Sequence, residues 1–288
     1  MVLLAEVKER ACDEVDRLAD NLSELGRQIH AHPELGFGEY QACAWLTTFL
    51  DKQGFEVEPG SADLRTAFRA TLAGSTPGPT VAFILEYDAS PEVDHGCGHN
   101  LIGPAHAGAA AALRPLQGAW PGRVVLLGAP SGEEGGGGLK IMLALGEFRG
   151  MDAVFRFHPQ SYTLVDSRPL ANRALGELFR ANLRAQGLGE DEEPPVTAGR
   201  SLPMDRVTWV APTLAPYLAI CPRSVGRDDT PRFTAASDTP LAYARMLVAA
   251  KVLAMTALDV LLQPAELEKV RLEFQTSKWL RYRQIMGS

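Results

Sequence analysis

The chain has 288 residues, 46% hydrophobic and 22% charged, which allows one large buried core or two modest ones. A formal net charge of −7 excludes the clustered basic surface of a nucleic-acid binder, and no run of 18 uncharged apolar residues occurs to span a membrane. The opening Met1-Val2-Leu3-Leu4-Ala5-Glu6 does not read as a secretory leader, and the scattered Cys12, Cys43, Cys97 and Cys221 suggest no disulfide framework, so a reducing cytoplasm is the expected compartment.

In chain order, Val15, Leu18, Leu22, Leu25 and Ile29 recur every three or four residues and predict one helix from Glu6 to His30. A second helix is expected from Glu39 to Gln53. The period then changes: Thr66 to Leu72 alternates as a strand does, and Thr80 to Leu85 is a continuous apolar run typical of a central strand. A helix from Leu101 to Leu113, a strand from Gly122 to Ala129, a helix from Gly136 and a strand from Ala153 to Phe157 follow. Beyond these come a helix at Asn172 to Arg184, a strand at Tyr217 to Cys221, a long helix at Pro240 to Leu262 and a charged helix at Pro264 to Tyr282. Gly187 to Pro195 and Arg223 to Thr230 read as surface loops. Such alternation predicts an α/β sheet covered on both faces.

Four polar segments sit where predicted strands end or helices begin, the edge at which open α/β sheets place ligands. They are Glu86-Tyr87-Asp88-Ala89, Asp94-His95-Gly96-Cys97-Gly98-His99-Asn100, Ser131-Gly132-Glu133-Glu134-Gly135-Gly136 and His158-Pro159. Imidazole, thiolate and carboxylate together form a ligand set suited to zinc. Taken singly, His-Pro is ordinarily structural, Glu-Glu a solvated surface pair and Cys97 a buried apolar thiol. Cys97 and His99, two apart with glycine between, are what a turn needs to aim both at one ion. Adjacent glutamates suggest a division between metal binding and proton transfer. His30, His32 and His106 are read as structural or supporting groups.

Together with His32-Pro33-Glu34-Leu35-Gly36 and Thr66-Ala67-Phe68, these segments resemble the M20 metallopeptidase family. The likeness is to the amidohydrolase branch of aminobenzoyl-glutamate hydrolases and β-alanyl-lysine dipeptidases. The resemblance implies a three-layer, zinc-peptidase-like α/β domain with a central mixed, mainly parallel sheet flanked by helices. It implies metal ligands Cys97, His99, Glu134 and His158, with Glu133 as general base and then acid, and Asp88 orienting a ligand. The implied cofactor is zinc, one ion or two, with manganese or cobalt as substitutes. The implied reaction is hydrolysis of a small N-acyl amino acid, dipeptide or carrier-tethered amide.

Three departures accompany the likeness. The family's lid and dimerisation domain is missing, with the junction near residues 161–169, so residues 1–288 are expected to form one catalytic domain. All six histidines lie at or before His158, so no histidine can act from a lid. The segment expected to carry a last ligand as His-Thr reads Phe233-Thr234; Asp205, Asp228, Asp229 or Asp238 could substitute as oxygen ligands. These changes keep two other readings open. One is a non-hydrolytic enzyme (acyltransferase, cyclase or lyase) on the same scaffold, and the other is a non-catalytic descendant that binds metal or a partner. A homodimer through a surface other than the lid is expected.

Overall fold

The computed structural model describes residues 4–132, 137–165, 171–192, 202–226 and 228–286. The first amphipathic stretch forms two helices, α1 (Leu4–Arg17) and α2 (Ala19–Ala31), where the sequence predicts one. They join at Leu18, whose amide bonds to the carbonyls of both Glu14 and Val15. Val15, Leu18, Leu22, Leu25 and Ile29 are all buried, so the apolar stripe continues through the joint and hides it from a periodicity argument. Helix α3 (Tyr40–Lys52) starts under the Glu34 carboxylate, which accepts the amides of Gln41 at 2.9 Å and Ala42 at 3.0 Å. That satisfies first-turn donors and sets a negative charge at the positive end of the helix.

Among the described residues eight strands follow: β1 (Glu56–Pro59), β2 (Phe68–Ala73), β3 (Thr80–Leu85), β4 (Arg123–Gly128), β5 (Ala153–Phe155), β6 (His158–Gln160), β7 (Thr213–Leu214) and β8 (Tyr217–Ala219). Six of them form one sheet in the order β1-β2-β4-β3-β5-β7. The β1–β2 and β2–β4 pairings are antiparallel, and the other three are parallel. Strands β6 and β8 pair in parallel as a separate ribbon. The remaining helices are α4 (His99–Ala111), α5 (Gly137–Leu145), α6 (Arg173–Ala185), α7 (Leu202–Val207), α8 (Pro231–Ser237), α9 (Pro240–Leu262) and α10 (Pro264–Met286).

Alternation along β3 divides the core. Val81, Phe83 and Leu85 share a cluster with residues of α1, α2, α4 and α9, whereas Ala82 and Ile84 share one with Leu139 and Met142 of α5 and Met204 and Val207 of α7. This is the α/β sheet covered on both faces that the alternation predicts, and the mixed, mainly parallel sheet that the resemblance implies. Helix α4 is buried along its whole length and built largely of Ala and Gly. Small side chains let α2 approach closely, since a Cβ on Gly108 would fall 2.5 Å from Leu22 Cδ1. Strand β5 stops at Phe155, two residues before the predicted end. The short β1, β7, α7 and α8 span too few residues to show a period and escape the sequence reading. Among the described residues no single helix is long and apolar enough to cross a membrane.

Strands β2 and β4 meet at Gly128, opposite Phe68. A Cβ there would lie 2.3 Å from Phe68 Cδ1, and that fully buried ring already stacks on Tyr87 at 6.0 Å. Gly128→Ala should therefore lower stability in urea melts by about 1–3 kcal/mol through overpacking. Gly118→Ala, which meets nothing within 4 Å, should stay within about 0.5 kcal/mol of the parent. Equal effects of the two substitutions would contradict this packing.

Candidate metal centre

The segment after β3 is held from outside so that its acids face inward. The amide of Ala89 donates to the Glu34 carbonyl at 2.7 Å, and the Tyr87 hydroxyl donates to the Thr66 carbonyl at 2.5 Å. Glu86 and Asp88, on either side of Tyr87, are almost wholly buried. The Cys97-Gly98-His99 turn lies close by, with Gly98 at φ 76°, a conformation suited to glycine. A Cβ on Gly98 would stand 2.9 Å from Pro159 Cβ, so this turn rests directly on the His158-Pro159 segment.

His99 opens α4, and its Nδ1 hydrogen-bonds Asp88 Oδ1 at 2.9 Å. The His99 and His158 rings meet edge to face, centroids 5.8 Å apart at 80°. Cys97, two residues before His99, is buried as well. Gly132 crosses the same cluster: a Cβ there would lie 2.9 Å from both Glu86 Cδ and His99 Cε1, and 3.1 Å from Asp88 Oδ1. The next two residues, Glu133 and Glu134, lie outside the described residues. Just before them, the buried Glu39 carboxylate accepts the Ser131 amide at 2.7 Å and the Thr66 hydroxyl at 2.8 Å. Burial raises the Glu39 pKa, although these hydrogen bonds oppose the rise.

Arg156, at the end of β5, donates through Nε to Glu86 Oε2 at 2.6 Å and contacts the same oxygen through Nη2. Glu86 Oε2 is also 3.7 Å from His99 Nε2. Burial holds the His158 pKa well below the ordinary range, and the charges of Arg156 and His99 lower it further. Burial pushes His95 down to about 3, reinforced by His99 and His30. Neutral imidazole is the metal-binding form, and a carboxylate on Nδ1 is how metal-bound histidines are oriented. The donors therefore fit a divalent ion at His99 and His158. Among the described residues alone, however, no three His, Cys, Asp or Glu side chains gather closely enough to enclose one.

The other histidines tie the scaffold together. His30 Nε2 meets the Thr234 carbonyl at 3.1 Å, and His32 Nδ1 meets the Gln28 carbonyl at 2.9 Å. His106 accepts the Phe157 amide at 3.0 Å and contacts the Ile102 carbonyl at 2.8 Å, linking α4 to the end of β5. The Phe233-Thr234 segment does reach the centre. Phe233 Cε1 lies 3.4 Å from a Cβ built on Gly98, and the Thr234 hydroxyl donates to the Val93 carbonyl at 2.6 Å. Of the four substitute acids, Asp228 accepts from Gln160 and Asp229 bonds through its amide to the Gly96 carbonyl. Asp238 accepts from the Tyr243 hydroxyl, and Asp205 sits on α7 across the sheet. Sequence reasoning missed Arg156, Glu34 and Glu39 as builders of the centre. Arg156 left a signal as a charge inside the apolar stretch Ala153 to Phe157, and Glu34 lay within a matching segment without being given a role.

No family model matches the chain. It is 41% identical over 170 residues to Xaa-Arg dipeptidase of Mus musculus, covering 53% of this chain and 38% of that protein. It is 31% identical over 216 residues to one of the p-aminobenzoyl-glutamate hydrolase polypeptides of Escherichia coli, covering 68% of this chain and 43% of that protein. The chain thus spans less than half the length of these curated relatives. Among solved structures, a Bacillus subtilis protein described as a dinuclear metal-binding peptidase of the M20 family shares the fold. Its TM-score is 0.67 at 15% identity, covering 85% of this chain and 98% of that one.

The buried His106 gives a pH signature. Burial lowers its pKa from 6.5 to about 3, so between those values the unfolded chain takes up a proton that the native chain refuses. Stability is then lost as pH falls through this window and recovered as pH rises. In urea melts from about pH 6 to about pH 4, His106→Gln should remove up to about 1.4 kcal/mol per pH unit of that slope. A slope unchanged by the substitution would contradict a neutral buried His106.

Proposed function

The chain belongs to the M20 amidohydrolase family, and from that premise we propose that it is a metal-dependent amide hydrolase acting on a dipeptide or small N-acyl amino acid. The observation that carries this reading is the Asp88-oriented His99 set edge to face with His158, buried beside the Cys97 turn at the ends of parallel strands. Relatives named as a dipeptidase, an aminobenzoyl-glutamate hydrolase and an N-acetyl-cysteine deacetylase support the substrate class. The neighbour described as a dinuclear metal-binding peptidase supports the use of metal. We assign zinc, with manganese or cobalt as substitutes, to Cys97, His99, Glu134 and His158.

A divalent ion held there would supply Lewis acidity toward a carbonyl and toward water. The chain's own groups do the rest. Asp88 fixes the ring of His99 through Nδ1 and so directs Nε2 toward the centre. Glu133 takes the proton of the attacking water and returns it to the leaving amine. The apolar packing around Glu86, Asp88 and His99 keeps the local dielectric low, which strengthens each electrostatic contact. We read the polypeptide as a catalytic domain without the family's lid. The junction near residues 161–169 falls partly outside the described residues. Its described part enters directly into pairing through Leu164 and Tyr217.

Phe233, seated against Gly98 in the segment expected to carry a ligand histidine, favours one second reading. In it the same scaffold serves a non-hydrolytic reaction, and analysis of the products separates the two. The direct test is to reconstitute chelator-treated protein with zinc, manganese or cobalt and screen dipeptides and N-acyl amino acids for free amine. Activity should require metal, and Glu133→Gln should reduce kcat by about 10²–10⁴-fold with metal content unchanged. Turnover that persists in Glu133→Gln, or a reconstituted protein that cleaves no amide, would contradict the proposal.

A further inference from the structure

Helix α10 is anchored along one side and bare along the other. On the anchored side Leu267 and Val270 are buried, and Arg271 meets Asp152 at 2.7 Å. The Glu273 carboxylate accepts the amides of Arg173 and Ala174 at the start of α6, both at 2.9 Å. The opposite side carries Glu268, Leu272, Gln275, Thr276, Trp279 and Arg283, all exposed. At about 100° per residue, Glu268, Leu272, Trp279 and Arg283 fall within roughly 60° of one another around the helix axis. Spacings of four and seven are those of a seam between paired helices. Leu272 is 61% and Trp279 56% exposed. Single exposed apolar side chains are ordinary, but here two share one stripe that ends in an acid and a base.

The order of the stripe is self-complementary. Glu268 and Arg283 stand equally far from the midpoint between Gln275 and Thr276, and so do Leu272 and Trp279. A two-fold axis through that midpoint sets Glu268 against the partner's Arg283 and Leu272 against the partner's Trp279, each contact made twice. A parallel pairing would instead oppose like charges, so charge selects the antiparallel one. Among the described residues neither Glu268 nor Arg283 makes an ion pair, whereas Glu266 is held by Lys269 at 2.7 Å. The Arg283 guanidinium already stands at the stripe, 5.0 Å from the centre of the Trp279 ring. We propose that this face of α10 is a dimerisation surface that pairs antiparallel with α10 of a second copy of the chain. Tryptophan and arginine are the residue types that most often anchor interfaces. Through Arg271 the helix is fixed at Asp152, before β5 begins, whereas the metal centre follows the end of β5. The inference therefore stands apart from the hydrolase reading.

Sedimentation velocity of the full chain over a series of protein concentrations tests the pairing, with circular dichroism confirming that each variant is folded. The parent should show a concentration-dependent shift from monomer to dimer. Trp279→Ala should raise the dimer Kd by about 30-fold or more. Glu268→Arg and Arg283→Glu should each weaken association, because each sets like charges against one another across the axis. An equimolar mixture of these two variants restores both ion pairs in a mixed dimer and should associate more tightly than either variant alone. That recovery depends on the antiparallel register, and a general loss of stability would not produce it. A parent that stays monomeric at every concentration would overturn the proposal. So would a dimer unaffected by Trp279→Ala, or charge variants that associate no better together than apart.

Discussion

Charge buried at the ends of two neighbouring parallel strands is the constraint on which the centre depends. Glu86 and Asp88 after β3, and Arg156 after β5, are shielded almost completely from water. An unpaired charge in such a place costs roughly 3–5 kcal/mol, so each must find a partner with good geometry. Arg156 closes on Glu86, and Asp88 closes on His99. The parallel pairing of β3 with β5 is what places the first two within reach, across 70 positions of sequence. Small residues along α4 let α2 and α3 pack closely on it, and its first residue, His99, bonds Asp88. In the polar cluster each of these buried charges thus has a partner, enclosed by apolar layers.

Support for this cluster comes from segments with no chemistry of their own. Glu34 caps α3 with its side chain while its carbonyl receives the Ala89 amide, coupling a helix start to the Asp88 turn. Glu39 performs the same service for Ser131, two residues before Glu133. His106 fixes the chain at Phe157, between Arg156 and His158. Each contact is a single hydrogen bond worth roughly 1 kcal/mol net, but leaving any of these buried groups unpaired would cost more. The arrangement is one in which the ends of strands are positioned by groups a layer away, as preorganised sites require.

Much of this is legible in the residues. A three-to-four period places the N-terminal helical stretch, alternation places β2 and a continuous apolar run places β3, and the polar segments after such runs mark the edge where the centre lies. Asp88, His99 and His158 can be named as candidates because each follows an apolar run or opens a small-residue helix. The Arg156–Glu86 pair could not be read, because strand order is not contained in the alternation of elements. The joint at Leu18 was invisible because the buried stripe passes through it unbroken. The approach of Phe233 to Gly98 depends on α8, seven residues long and too short to declare itself. Glu133 and Glu134 remain assigned by resemblance, since they lie outside the described residues.

The central claim is that the buried cluster in which Asp88 holds His99 beside His158 is a metal centre. Diffraction from crystals of zinc-loaded protein, collected on both sides of the zinc absorption edge, tests it most directly. The account predicts anomalous zinc density beside His99 and His158, with Arg156 closed on Glu86. No zinc peak beside His99 and His158 in crystals of zinc-loaded protein would contradict it.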